Sequence, residues 1–266
     1  MPGTVATARG YPTATAAVQA QLASAFYASQ SLLASMAIAD ILAVWQQLNL
    51  RDVRSSWPAI RTALSALIET RFGMSVTQAQ GYYAQARIAA GVMGSAPQVT
   101  LPPPPQALVV ATLDSTGPYA LLGRIRQAQP LEQAMENTSV VMSGAASRLI
   151  SNGARQAVLA SVQADPEAVA WMRVTAANPC AWCAMLATRV DYKSQASAGF
   201  KAHNHCRCAA APIFSRQDAQ ALLDDGLYQQ WQQVTRGLHK KDALRAWRRY
   251  WDQKTGRDGI RVRPAA

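Results

Sequence analysis

The sequence predicts a mainly α protein: long N-terminal helices, a helical body, a small Cys/His-rich α+β module and a basic C-terminal helix. Three observations predict it. Apolar residues recur at spacings of three, four and seven over long stretches. Four consecutive prolines at 102–105 interrupt that pattern, since proline fits neither a helix interior nor a central strand. All four cysteines and two of the three histidines fall between Cys180 and Cys208.

In chain order, residues 1–12 hold Pro2, Gly3, Gly10 and Pro12 and read as a loose end. A helix follows over 15–48, with Leu22, Phe26, Leu33, Ala37, Ile41, Trp45 and Leu48 on one stripe. Its most apolar part, 32–45, is interrupted by Ser35 and Asp40 and reads as too short to span a bilayer. A second helix is expected to start at Ser56, with Pro58 in its first turn, and to stop at Gly73. Its apolar side is Ile60, Leu64, Leu67 and Ile68. A third is expected over 77–90. Residues 97–105 read as an extended, fairly stiff arm.

Residues 108–113 are apolar, and Gly117-Pro118 marks a turn. Helices are expected over 131–150 and 155–163, with breaks at Ser143-Gly144 and Ser151-Asn152-Gly153. Asp165-Pro166-Glu167 carries a helix-start signal. Residues 171–175 suit a short strand leading into the cysteines, and helix returns over 215–249. The corresponding domains are 1–96, an N-terminal helical partner-binding arm; 97–105, a Pro-rich linker; 106–164, the helical body; 165–214, the Cys/His module; and 215–266, a basic helix and tail.

Half of the 266 residues are hydrophobic and only 15% are charged, so apolar surface has to be hidden, in part against neighbouring subunits. The net charge is +11. Ten basic residues against three aspartates between Arg236 and Arg263 account for seven of those charges. A basic end of this kind suits non-specific contact with DNA phosphates, for which Arg245, Arg248, Arg249, Arg257, Arg261 and Arg263 are the candidates. Trp247, Tyr250 and Trp251 interleave with them and are expected to dock on the protein body. No compact apolar core with a cleavage site follows Arg9, so folding in a reducing cytoplasm is expected, where clustered cysteines more often bind metal than pair.

Cys180-Ala181-Trp182-Cys183 places two thiols at a turn entering a helix, where the helix N-terminus favours thiolates. Cys206 and Cys208, two apart, leave the same face of an extended stretch. Together they form a candidate structural Zn2+ site, with His203 or His205 able to replace one sulfur. The metal candidates are Cys180, Cys183, His203, Cys206 and Cys208. Reduced thiols without metal, disulfides and a redox dithiol are the competing readings. A nucleophile–base pair of Cys206 or Cys208 with His203, His205 or His239 can also be drawn. No Gly-x-Ser-x-Gly elbow, P-loop or Gly-x-Gly-x-x-Gly fingerprint occurs.

Asp165-Pro166, Arg173-Val174-Thr175, Cys180-Ala181-Trp182-Cys183-Ala184-Met185-Leu186-Ala187, His203-Asn204-His205-Cys206-Arg207-Cys208 and Pro212-Ile213-Phe214 together resemble the C-terminal module of MuF-like minor head proteins of tailed bacteriophages, in versions from phages of actinobacteria. His203, Cys206, Arg207 and Cys208 match that family's His-x-x-Cys-Arg-Cys element position for position. The resemblance covers about fifty residues. It implies a minor capsid protein of head morphogenesis, present in the virion and in the host cytoplasm during assembly. Its implied partners are the portal protein, capsid and scaffold proteins and packaged DNA, with no membrane. Relatives are often labelled capsid maturation protease, the alternative to a non-enzymatic role. A zinc-containing nucleic-acid-binding module unrelated to capsids is the third reading.

Overall fold

The computed structural model describes residues 13–175, 179–193 and 199–256. The expected loose end at 1–12 lies outside that range, as do Arg257, Arg261 and Arg263 of the basic tail. The architecture is mainly α with one small sheet, as the sequence predicts.

Three long helices form the frame: α1 (Thr13–Trp45), α2 (Val53–Ala89) and α5 (Leu131–Ala164). The α1 stripe is buried as its spacing requires, from Phe26 through Leu33, Ala37, Ile41 and Trp45 to Leu48, and Leu22 packs partly against the same core. Asp52, rather than Ser56, caps α2: its carboxylate accepts from the Ser55 amide at 3.1 Å, so the helix begins a turn earlier than expected. Gly73 does not stop α2, and one helix replaces the two predicted. It is exposed with open space around it, so its cost is the ~1 kcal/mol of a glycine inside a helix, which the packing of the rest of α2 overrides.

The segment before α3 (Gln106–Thr116) is extended and lies on α2, where Gln80 Nε2 donates to the Val99 carbonyl at 2.6 Å. Gly117 separates α3 from α4 (Pro118–Arg126). Then α5 runs unbroken through both predicted breaks. Gly144 and Gly153 are packing notches: a Cβ at 153 would stand 2.8 Å from the Phe72 carbonyl oxygen, and one at 144 would run into the His205 ring. A bare backbone there lets α2 and the cysteine loop approach α5 closely.

Asp165 starts no helix. Its carboxylate is buried, takes the Arg87 Nε at 2.9 Å and the Tyr83 hydroxyl at 3.1 Å, and turns back to accept from the Glu167 amide at 3.0 Å. The chain then enters β1 (Ala170–Val174), the centre of an antiparallel sheet between β2 (Val190–Tyr192) and β3 (Ala209–Ile213). Every residue of β3 is buried, and the strand packs on α5. The single helix expected after Pro212 is three: α7 (Arg216–Leu222), α8 (Asp225–Thr235) and α9 (Lys240–Lys254). Ser215 and Asp224 each cap a new start, and Gly237 takes φ +72° between α8 and α9.

By length and apolarity, 30 residues of α1 (Ala16–Trp45) would suffice to cross a membrane, a longer stretch than 32–45 suggested. In this fold three polar side chains of α1 are bonded to α2. Gln19 Nε2 donates to the Ala86 carbonyl, Gln30 Nε2 to Gln78, and Asp40 pairs with Arg71.

Candidate metal centre and its surroundings

Helix α6 (Ala181–Leu186) is only six residues long, and Cys180 caps it: the Cys180 sulfur accepts from the Cys183 amide at 3.4 Å. This is the expected turn into a helix. The chain returns past Phe200 and Ala202 to place His203, Cys206 and Cys208 beside it, immediately ahead of β3. The five donors form two groups that share Cys183. One is Cys180, Cys183 and His203; the other is Cys183, Cys206 and Cys208; within each, all ligand atoms lie within 4.8 Å of one another. Cys180 Sγ is 2.9 Å from His203 Nε2, and Cys183 Sγ is 3.7 Å from Cys206 Sγ. All four cysteines are free thiols, which removes the disulfide alternative from this conformation.

His203, not His205, joins the cluster. His203 Nδ1 donates to the Asn204 carbonyl at 2.7 Å, which leaves Nε2 to face the sulfurs. Asn204 is itself held by Arg148 Nε at 3.0 Å. His205 is exposed at φ +62°, and its ring covers Gly144 of α5. His239 is exposed at the start of α9 and is not among the clustered donors.

Two buried arginines flank the sulfurs, and the sequence reading missed both. Arg155 on α5 donates to the carbonyls of Cys208 at 3.0 Å and Cys206 at 2.5 Å, and to Asn152 at 2.9 Å. Arg173 on β1 reaches the Cys183 sulfur at 3.7 Å and the Lys201 carbonyl at 2.8 Å. Its guanidinium lies 3.7 Å above the Phe200 ring. Their signal was present in the chain: each is a lone cation inside an apolar pattern, Ala154-Arg155-Gln156-Ala157-Val158 and Trp171-Met172-Arg173-Val174.

Without metal, the thiols share protons unequally. The bonds from Cys183 and from His203 hold Cys180 down to about 4, and the bond to Cys180 lifts His203 to about 9. Bonding to Cys180, then to Cys206 and Cys208, pushes Cys183 up. Bonds from Cys183 and Cys208, aided by Arg155 and Arg173, pull Cys206 down. For Cys208 the bond from Cys183 pulls down, but Cys206 and burial push further and raise it to about 12. Cys180 and Cys206 already favour the thiolate, the form that binds a soft or borderline divalent cation.

On the far side of α6, Trp247 and Trp251 of α9 are buried against Ala181, Ala184 and Met185, as expected for docking aromatics. Arg245, Arg248 and Arg249 are exposed on the opposite face of α9.

The sequence matches the VG15 protein family over residues 17–234. The chain belongs to the VG15 family. It is therefore a phage protein. No curated protein and no solved structure matches it. The matched span of this VG15 protein takes in the helical frame and the whole cysteine cluster, and it ends ahead of α9.

Proposed function

We propose that this VG15 protein is a MuF-like minor capsid protein of phage head assembly, associated with the portal inside the procapsid and close to packaged DNA. In this reading Cys180, Cys183, His203 and Cys206 hold a structural Zn2+, with Cys208 as a hydrogen-bonding thiol behind them. One observation carries it: two sequence elements more than twenty residues apart converge on a single cluster clasped to α5. The 3.7 Å between Cys183 and Cys206 suits the ~3.8 Å edge of a tetrahedron with Zn–S of about 2.3 Å. Burial of the ligands Cys183 and Cys206, backed by the buried Cys208, suits a closed structural site, since catalytic zinc keeps a position open. Three thiolates and Zn2+ leave one net negative charge, opposite Arg155 and Arg173. The exposed arginines of α9 suit sequence-independent phosphate contact.

The tests are particle composition and metal content. Mass spectrometry of procapsids and virions is expected to find the protein in both, at a copy number tied to the portal; absence from both rejects the head role. Elemental analysis of protein purified under reducing conditions is expected to give one zinc per chain. That zinc should be lost in Cys180→Ala, Cys183→Ala, His203→Ala and Cys206→Ala but kept in Cys208→Ala. A metal-free wild type rejects the zinc. DNA affinity should fall steeply with salt, and a salt-independent affinity rejects phosphate contact by α9.

A capsid maturation protease has one observation in its favour. The 2.9 Å Cys180–His203 pair, with the thiol lowered and the imidazole raised, is the form an activated cysteine takes. It names Cys180, rather than Cys206 or Cys208, as the nucleophile. Cleavage of a head protein that is abolished in Cys180→Ala would replace the structural reading.

A further inference from the structure

We propose that the metal cluster and the basic helix α9 are thermodynamically coupled, so that metal at the cysteines holds α9 on the protein and metal loss releases it. The proposal rests on the zinc reading above and adds a partner for it within the chain.

Helix α6 is the coupling element. At six residues it is far below the length at which a helix is stable alone, so it persists only through what it touches. One side carries Cys183 into the sulfur cluster, with Cys180 as cap. The other side carries Ala181, Ala184 and Met185 into the aromatic cluster of Leu227, Trp247 and Trp251. The link is also polar. Trp251 Nε1 donates to the Pro179 carbonyl at 2.8 Å, and Trp247 Nε1 donates to the Ala181 carbonyl at 2.7 Å. Those two carbonyls flank Cys180 in the chain. Both indoles are buried, so a shift of the 179–181 backbone would strand their N–H groups without water.

Among the described residues, the main support of the rest of α9 is narrow. Among those residues its main contacts run to α6 and to α8, where Trp231 and Trp247 meet edge to face at 5.3 Å and Tyr250 bonds Gln230 at 3.2 Å. Neither contact ties α9 to α1, α2 or α5. A ligand that orders the Cys180 turn therefore orders the platform for α9. By linkage, docking of α9 must raise metal affinity by the same factor. What is controlled is the posture of the arginine face, which carries Arg245, Arg248 and Arg249.

The experiment uses the full chain, with zinc content measured first. Amide hydrogen exchange is then followed with zinc bound and after removal by a chelator. Exchange within 240–254 is expected to rise at least tenfold on removal, while that of α2 and α5 changes less than twofold. In parallel, Trp251→Phe keeps an aromatic ring at the site, trims the indole's contacts and removes the N–H. It is expected to weaken zinc binding severalfold in competition with a chromophoric chelator.

If the wild-type protein carries no zinc, the zinc reading fails and the coupling falls with it. If zinc is bound but α9 exchange does not change on removal, the coupling is overturned and the zinc reading stands. A uniform rise across α2, α5 and α9 also overturns it, because the metal would then support the whole fold. Unchanged zinc affinity in Trp251→Phe overturns the reciprocal arm.

Discussion

The same substitution, glycine to alanine, should have opposite signs at three sites in two helices. Gly73 and Gly81 of α2 are exposed, and an added Cβ meets nothing within 4 Å. Alanine there should gain about 0.5–1 kcal/mol from helix propensity and a stiffer unfolded chain. Gly153 of α5 has the same intrinsic gain available, but its Cβ would stand 2.8 Å from the Phe72 carbonyl oxygen, 3.1 Å from Phe72 Cδ2 and 3.2 Å from Val76 Cγ2. Two of those atoms are side-chain carbons, whereas the carbonyl belongs to the α2 backbone and cannot rotate away. The two helices would have to separate by about 0.6 Å to restore ordinary contact. Separation also stretches the buried bond from the Ala154 amide to Ser75 Oγ, now 3.0 Å, which links through Ser75 to Gln30 of α1 at 2.8 Å. Overpacking of ~1–3 kcal/mol plus a weakened buried hydrogen bond outweighs the propensity gain, for a net loss of about 2 kcal/mol. Urea denaturation followed by circular dichroism at 222 nm measures it. A midpoint for Gly153→Ala as high as that of Gly73→Ala would refute the close packing of α2 on α5.

Three further outcomes follow from particular groups. Arg155→Met keeps the bulk but strands the carbonyls of Cys206 and Cys208, and should cost about 3 kcal/mol in the same denaturation assay. Asp165→Asn leaves Arg87 buried without a counter-charge and should cost about 3–5 kcal/mol; a loss under 1 kcal/mol would show that the pair contributes little. In zinc-stripped protein, the cluster should make stability rise with pH from 4 to 9, because Cys206 throughout, and Cys180 below pH 6.5, leave the folded chain binding fewer protons than the unfolded one. The Cys180 contribution, with its pKa depressed from 9.0 to about 4, is fully present above 9.0 and is lost as pH drops through 4. The His203 contribution, with its pKa raised from 6.5 to about 9, is fully present below 6.5 and is lost as pH rises through 9. Between 6.5 and 9 the folded and unfolded pair each bind one proton, so within the cluster the slope there comes from Cys206; below 6.5 the unfolded pair binds one more and the slope steepens. Thermal denaturation across buffers checks this, and a stability that does not rise between pH 7 and 8.5 would contradict it.

Much of the frame was legible because its information is local and periodic. The stripe from Leu22 to Leu48, the cap-and-turn at Cys180, the strand at Trp171 and the docking of Trp247 and Trp251 each follow from spacing and side-chain type alone. The errors share one cause. Gly73, Gly144 and Gly153 were read as punctuation, yet none breaks a helix; the first is overridden by packing, and the other two are required by it. Asp165 was read as a helix start, yet its carboxylate is committed to Arg87 and Tyr83, about eighty residues upstream.

By itself the sequence determined that this phage protein is mainly helical, that its thiols and His203 fall in one short window, and that its C-terminal charge is concentrated in one stretch. Tertiary structure alone decided that His203 rather than His205 faces the sulfurs, that Arg155 and Arg173 bracket them, and that α9 rests on the turn holding Cys180. The physical reason is range. Periodicity and turn chemistry act over a few residues, whereas buried charges, backbone notches and shared donors are chosen by whichever distant group the folded chain brings within about 3 Å.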